Sequence, residues 1–218
     1  MTDHGSNAIF TIGHSNHDIQ RFVELLVCHG ISAVADVRSM PYSKFTPQFN
    51  RDVLGAALGV AHIRHVFLGG ELGARRSEPE CYVDGKARYE LIARAPRFQD
   101  GLCRLREEMR RYRVALMCAE KDPVTCHRAI LVCRHLRPLG LAISHILDDG
   151  RIETHAEIED RLLKITGVEG EDLFSGKSEA IERAYDIQGE RIAYSTSGAH
   201  PTSEETEVEH EDIYNRFH

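Results

Sequence analysis

The 218-residue chain carries 34 acidic side chains against 27 Lys and Arg, a formal net charge of −7, with 42% hydrophobic and 28% charged residues. That is apolar sequence enough for a buried core, and no stretch approaches the roughly 18 consecutive apolar residues of a membrane span. The charge is uneven, because from Pro201 onward Glu204, Glu205, Glu207, Glu209, Glu211 and Asp212 face only Arg216; the near-neutral body argues neither for nor against nucleic acid.

In chain order, the acidic and polar N-terminus MTDHGSNAIF is unlike a secretory signal, so a cytoplasmic location is expected. Residues Ala8 to Ile12 read as a buried strand. HSNHDIQRFVELLVCHG follows at helical spacing, with Ser15 and Asp18 in a capping-box arrangement and Gly30 as its stop. Ser32 to Val37 form a second apolar strand, and a helix opens at Arg51 behind an Asn50 cap and ends near Gly59. Ile63 to Leu68 make a third strand. The long Gly-rich stretch LGGELGARRSEPECYVDGKARY predicts a functional loop.

A helix over about Arg97 to Arg111 precedes a fourth strand, VALMCA, and another helix is expected from Pro123. Leu141 to Leu147 supply a fifth strand, and Thr154 with Glu157 caps a helix ending by Gly167. This alternation predicts an α/β fold: an open, mostly parallel five-stranded sheet with helices on both faces, Rossmann-like or flavodoxin-like, over residues 1–167. Residues 168–218 read as a C-terminal extension, helical near Glu179 to Tyr185, then acidic and disordered or partner-dependent. The six cysteines are spread through a chain this size without need of disulfides, and are expected to be reduced.

Ligands of open parallel sheets bind at the strand carboxyl ends. Those ends carry Gly13, His14 and Ser15; Asp36, Arg38 and Ser39; Gly69, Gly70 and Glu71; Cys118, Glu120, Cys126, His127 and Arg128; and Asp148 with Asp149. Each has an ordinary reading beside the functional one. Ser15 fits an N-cap, Asp36 and Arg38 an ion pair, and the glycines a need for positive φ. With Asp122 as N-cap and Pro123 at N1, Cys126 is expected in the first turn of a helix, where its thiol pKa falls. Yet Cys126, Ala129, Ile130 and Cys133 also form an apolar stripe, which fits a buried inert thiol.

Three chemistries compete for this corner. In an anion site, Arg38 and Arg128 hold a phosphate-like group, Ser15, Gly69 and Gly70 help bind it, and His14, Asp36, Glu120 or His127 moves a proton. In a divalent-metal site, Cys118, Cys126 and His127 are ligands and His14 or Asp36 completes the set, though the spacing matches no standard zinc motif. A Cys118–Cys126 redox pair is the third. A phosphatase loop fails, because Val124 stands where its arginine belongs. Between Arg88 and Arg113 eight arginines face four acids; a solvated helix face explains them, and phosphate-backbone contact is the functional alternative.

TIGHSNHDIQRFVELL, ADVRSMPYSKFTPQFN, FLGGELGARR and LMCAEKDPVTCHR, in this order, resemble the bacterial and archaeal domain-of-unknown-function family 488 over roughly Ile9 to Leu163. The resemblance implies a compact α/β domain and shared positions at Gly13, His14, Ser15, Asp36, Arg38, Pro41, Leu68, Gly69, Cys118, Glu120, Cys126, His127 and Arg128; it implies no reaction. The expectation is an enzyme acting on a phosphate-bearing substrate, a nucleotide or nucleic acid. A non-catalytic nucleic-acid-binding module and a metal-binding protein stand as alternatives. No membrane partner is expected, and the sequence sets no oligomeric state.

Overall fold

The computed structural model describes residues 7–169 and 176–196; the acidic tail lies outside them. In chain order the elements are β1 (Ala8–Gly13), α1 (Ile19–Cys28), β2 (Ala33–Asp36), α2 (Arg51–Val60), β3 (Arg64–Phe67), α3 (Gly69–Leu72), β4 (Tyr82–Val83), β5 (Lys86–Ala87), α4 (Tyr89–Arg94), α5 (Pro96–Met109), β6 (Val114–Cys118), α6 (Arg134–Leu136), β7 (Ala142–Ile146), β8 (Ile152–Thr154), α7 (His155–Thr166) and α8 (Lys177–Ile192). Among the described residues no helix is long and apolar enough to cross a membrane.

The main sheet runs β3-β2-β6-β1-β7-β8. Its first five strands are parallel, as the alternating pattern predicts, and β8 adds an antiparallel edge to β7. This sixth strand is three residues long and follows the turn at Gly150, too short to show a period of its own.

Burial on both faces explains the unbroken apolar strands. Phe10, Ile12, Val34, Ala115 and Met117 pack with Phe22 and Leu26 of α1 and Leu54 and Leu58 of α2. Ile9, Ala33, Ala35, Leu116 and Cys118 face the other way, toward Leu102 and Leu105 of α5 and Leu131 and Leu136. A third cluster joins Ile130 to Leu162 of α7 and Ala180, Ala184 and Tyr185 of α8.

This topology places the site. The connections after β1 and β2 descend on the α1/α2 face, whereas the connection after β6 leaves on the opposite face. β6 lies between β1 and β2, so the loops part around its carboxyl end, and a crevice opens there. That end is Cys118.

Several local expectations change. Asp18, not Ser15, caps α1, its carboxylate accepting from the Arg21 N–H at 2.7 Å. Ser15 instead holds a φ of +48°. Asn50 precedes α2 but makes no side-chain cap, because its Oδ1 accepts from the Ser43 N–H at 2.7 Å. The Thr154–Glu157 capping box and the Gly167 stop form as expected.

The helix expected from Pro123 is broken. Pro123–Thr125 is a single 3₁₀ turn capped by Asp122, and Cys126 is extended at φ −126° and ψ 138°. A π-helix then runs over Arg128–Cys133, with all six residues buried. Cys126 is therefore not inside a first turn but just ahead of one. Its carbonyl accepts from the Ala129 and Ile130 N–H groups, and its sulfur from the Arg128 N–H at 3.4 Å.

Candidate functional site

The cluster at the end of β6 is built from two short segments. Cys118 ends the strand, Glu120 stands two residues on, and Cys126 with His127 opens the following helical segment. The Cys118 thiol donates to Glu120 Oε2 at 2.9 Å, and the Cys126 sulfur lies 3.0 Å from the same oxygen. His127 Nδ1 lies 3.6 Å from the Cys118 sulfur. One ligand atom from each of the four residues lies within 4.8 Å of all the others.

Two devices fix this arrangement. His127 Nε2 is 3.0 Å from the Val37 carbonyl oxygen, which only accepts, so that nitrogen carries a proton and Nδ1 is the ring nitrogen turned to the thiols. Arg128, fully buried, donates to the Glu120 carbonyl at 2.6 Å and the Lys121 carbonyl at 3.0 Å, and from Nε to Thr11 Oγ1 at 3.3 Å. Gly13 admits the loop they hold: a Cβ there would lie 2.0 Å from the Glu120 carbonyl oxygen.

The electrostatics follow from burial and proximity. Burial alone raises the Cys126 thiol, but the Cys118 hydrogen bond and the charges of Arg128 and His127 outweigh it and hold its pKa well below the usual range. Cys118 is pushed up by burial and by the Cys126 and Glu120 charges. Burial and then Cys126 raise the Glu120 carboxyl. Of the two thiols it is therefore Cys126 that ionises first, and its charge resists ionisation of Cys118 and Glu120.

The other expected residues form a separate network. Asp36, fully buried, accepts from Arg38 Nε at 2.9 Å and Nη2 at 2.7 Å, and His65 Nε2 approaches it at 3.6 Å. Arg38 also donates to the Phe49 carbonyl at 2.9 Å, and its remaining Nη1 donates to His14 Nε2 at 3.3 Å. His14 Nδ1–H donates to the Ser15 carbonyl at 2.9 Å, and the ring stacks on Phe49. Burial, then Arg38, lowers the His14 pKa to about 4.

Arg38 and Arg128 are thus not joined on one face. Arg38 reaches the cleft with one edge, while Arg128 spends its guanidinium behind the loop. His14, Asp36, Ser15, Gly69 and Gly70 stand outside the cleft lining. Gly69 and Gly70 lack positive φ; Gly69 is there because a Cβ would lie 1.9 Å from the Arg38 carbonyl oxygen.

The cleft itself encloses about 290 Å³. Cys118, Glu120, His127 and Arg38 line it together with Met40, Arg75, Tyr89, Ile192 and Tyr194. Glu120 is the one exposed member of the cluster. Neither Arg75 nor Tyr194 belongs to the motifs at the strand ends, and Tyr194 is far from them in sequence. Nor was Glu120 recognised as the group completing the Cys118, Cys126 and His127 set, where His14 or Asp36 was expected.

The basic helix is a solvated face. Arg104 of α5 pairs with Glu71, Arg110 with Glu107, and Glu108 with Arg64. All six cysteines are free, with Cys28 and Cys103 exposed.

The model of the family described as Domain of unknown function DUF488 matches residues 18–134, more than half of the chain and a narrower span than the motifs alone imply. None of the curated proteins and none of the solved structures matches.

Proposed function

The chain belongs to the family described as Domain of unknown function DUF488, and we propose that it is a metal-dependent enzyme acting on a phosphate-bearing substrate in the cleft at the end of β6. The observation that carries this reading is the convergence of Cys118, Glu120, Cys126 and His127 within 4.8 Å, with His127 turned so that its Nδ1 faces the thiols.

The donor set fits a thiolate-selecting divalent ion such as zinc, which favours tetrahedral S and N ligands. The Val37 carbonyl supplies the outer hydrogen bond that orients a ligating imidazole. Three of the four groups are buried and the fourth, Glu120, is exposed at the cleft. Catalytic zinc sites share that asymmetry: three protein ligands, with one position turned toward substrate. Two cysteines, a histidine and a nearby non-ligating glutamate also make up hydrolytic zinc sites in which the carboxylate transfers protons.

Bound there, the ion supplies Lewis acidity and an activated water. The chain's own groups do the rest. Cys118, Cys126 and His127 hold the ion, Glu120 accepts and returns a proton at the cleft face, and Arg128 keeps the 120–121 backbone in place. Elemental analysis of Cys118→Ser, Cys126→Ser, His127→Ala and Glu120→Gln proteins tests these roles. The first three are expected to lose the metal and Glu120→Gln to retain it. Loss in Glu120→Gln as well makes Glu120 a fourth ligand and removes its proton-transfer role.

A further inference from the structure

Arg75 and Tyr194 meet at the cleft rim although 118 residues separate them in sequence. The Arg75 guanidinium carbon sits 4.6 Å from the Tyr194 ring centroid. Arg75 is exposed, and among the described residues it makes no ion pair. Among the described residues no hydrogen bond uses its guanidinium N–H donors, and their fork matches a phosphate oxygen pair.

The pairing is built in. The Tyr82 hydroxyl accepts from the Arg76 N–H at 2.9 Å and donates to the Arg76 carbonyl at 2.8 Å, tying the β4–β5 hairpin to the Arg75 segment. The hairpin in turn holds residues 194–196. The Ala87 N–H donates to the Tyr194 carbonyl at 2.8 Å, and the Thr196 N–H to the Gly85 carbonyl at 2.8 Å. Glu190 of α8 accepts from Lys86 at 2.9 Å and also pairs with Arg88. Residues beyond the family-matched segment 18–134 therefore finish the wall of its cleft.

We propose that Arg75 and Tyr194 make this cleft specific for a mononucleotide-class substrate, the guanidinium taking the phosphate and the tyrosine stacking the ring. A bare phosphate would leave most of the 290 Å³ empty, and the walls around that space are Tyr89, Tyr194, Ile192 and Met40. Aromatic faces of this kind stack bases. A cleft of about 290 Å³ is of the size that takes one nucleotide. The inference deepens the enzyme reading by naming its substrate class; what binds, however, is separable from what reacts.

The test is calorimetric titration of the full chain with adenosine and cytidine 5′-monophosphates, the two nucleosides, inorganic phosphate and a short single-stranded oligonucleotide, with zinc content measured on the same preparations. At least one mononucleotide is expected to bind at least tenfold more tightly than its nucleoside or phosphate, and no more weakly than the oligonucleotide. Arg75→Gln should abolish the advantage over the nucleoside. Tyr194→Ala should weaken nucleotide and nucleoside alike by about tenfold, with Tyr194→Phe restoring both. Far-ultraviolet circular dichroism checks that each variant is folded. Mononucleotide affinity unaffected by Arg75→Gln, equal affinity for phosphate, or binding of the oligonucleotide alone overturns the proposal. Nucleotide binding by wild-type protein that neither carries nor takes up a thiolate-binding metal leaves this inference standing and removes the metal-enzyme reading instead.

Discussion

His127 Nε2 donates to the Val37 carbonyl oxygen over 3.0 Å, a bond that joins the segment after β6 to the residue that follows β2. It decides which face of the imidazole is free. Without it the ring is free to turn its protonated nitrogen toward Cys118 and Cys126, and the cluster loses a ligand. The same bond fixes the crevice, because the two loops it joins flank the cleft.

Arg128 is the group whose loss the fold tolerates least. Replacing it with Met leaves the part-buried Glu120 and Lys121 carbonyls and the buried Thr11 Oγ1 without the donor they share. Arg128→Met is expected to destabilise the protein by about 3–5 kcal/mol, and Arg128→Lys by less, in urea unfolding. A loss below about 1 kcal/mol in Arg128→Met would show that the loop is held by something else.

Three buried histidines predict acid sensitivity. His14 and His155 are lowered by burial from 6.5 to about 4, and His145 well below 6.5 by burial and its neighbour His155. His145 bonds Thr11 at 2.8 Å and His155 at 3.0 Å, and His155 reaches the Tyr185 hydroxyl at 2.9 Å. A depressed histidine pKa means that the unfolded state binds the extra proton first. Their contribution is therefore complete above pH 6.5 and is lost as pH falls from 6.5 toward 4. For His14 and for His155 the full loss is on the order of 3 kcal/mol. Urea midpoints at pH 7.5, 5.5 and 4.5 should fall steadily, and a flat profile would contradict neutral burial.

Gly13→Ala is expected to act on the site before the sheet. The added Cβ displaces the Glu120 carbonyl, to which Arg128 is bonded, and moves Glu120 relative to the thiols. Metal affinity should drop tenfold or more, read by competition with a chromogenic chelator, while the circular dichroism spectrum is preserved. Unchanged affinity would mean that the loop adapts without moving its side chains.

Much of this was legible in the sequence, for identifiable reasons. Strands buried on both faces show as apolar runs, and Thr154 with Glu157 announces a helix start chemically. Cys118, Glu120, Cys126 and His127 were visible as a polar interruption at a strand end. The β4–β5 hairpin was missed although its signal was present: Asp84 and Gly85 both hold positive φ, the conformation of a tight hairpin turn. α8 was underestimated because it buries Ala180, Ala184, Gly189 and Gln188 beside only Ile181 and Tyr185, a stripe in which small and polar residues dilute the apolar contrast. The roles of the arginines were illegible in principle. Whether Arg38, Arg75 or Arg128 has free donors depends on carbonyls and rings brought by other elements.

The arginines of α5 should be dispensable. Arg104→Ala and Arg110→Ala remove surface pairs and Arg106→Ala an exposed side chain without an ion pair among the described residues, each costing within about 0.5 kcal/mol. Retention on immobilised single-stranded DNA should not change in the triple variant. Marked, salt-sensitive loss would revive the nucleic-acid-binding module.

The most direct measurement is elemental analysis of the protein purified without chelator, beside its Cys118→Ser and Cys126→Ser variants. The account predicts about one equivalent of zinc, or another thiolate-binding divalent metal, per wild-type chain and none in either variant. Wild-type protein that neither carries such a metal nor takes one up stoichiometrically would contradict it.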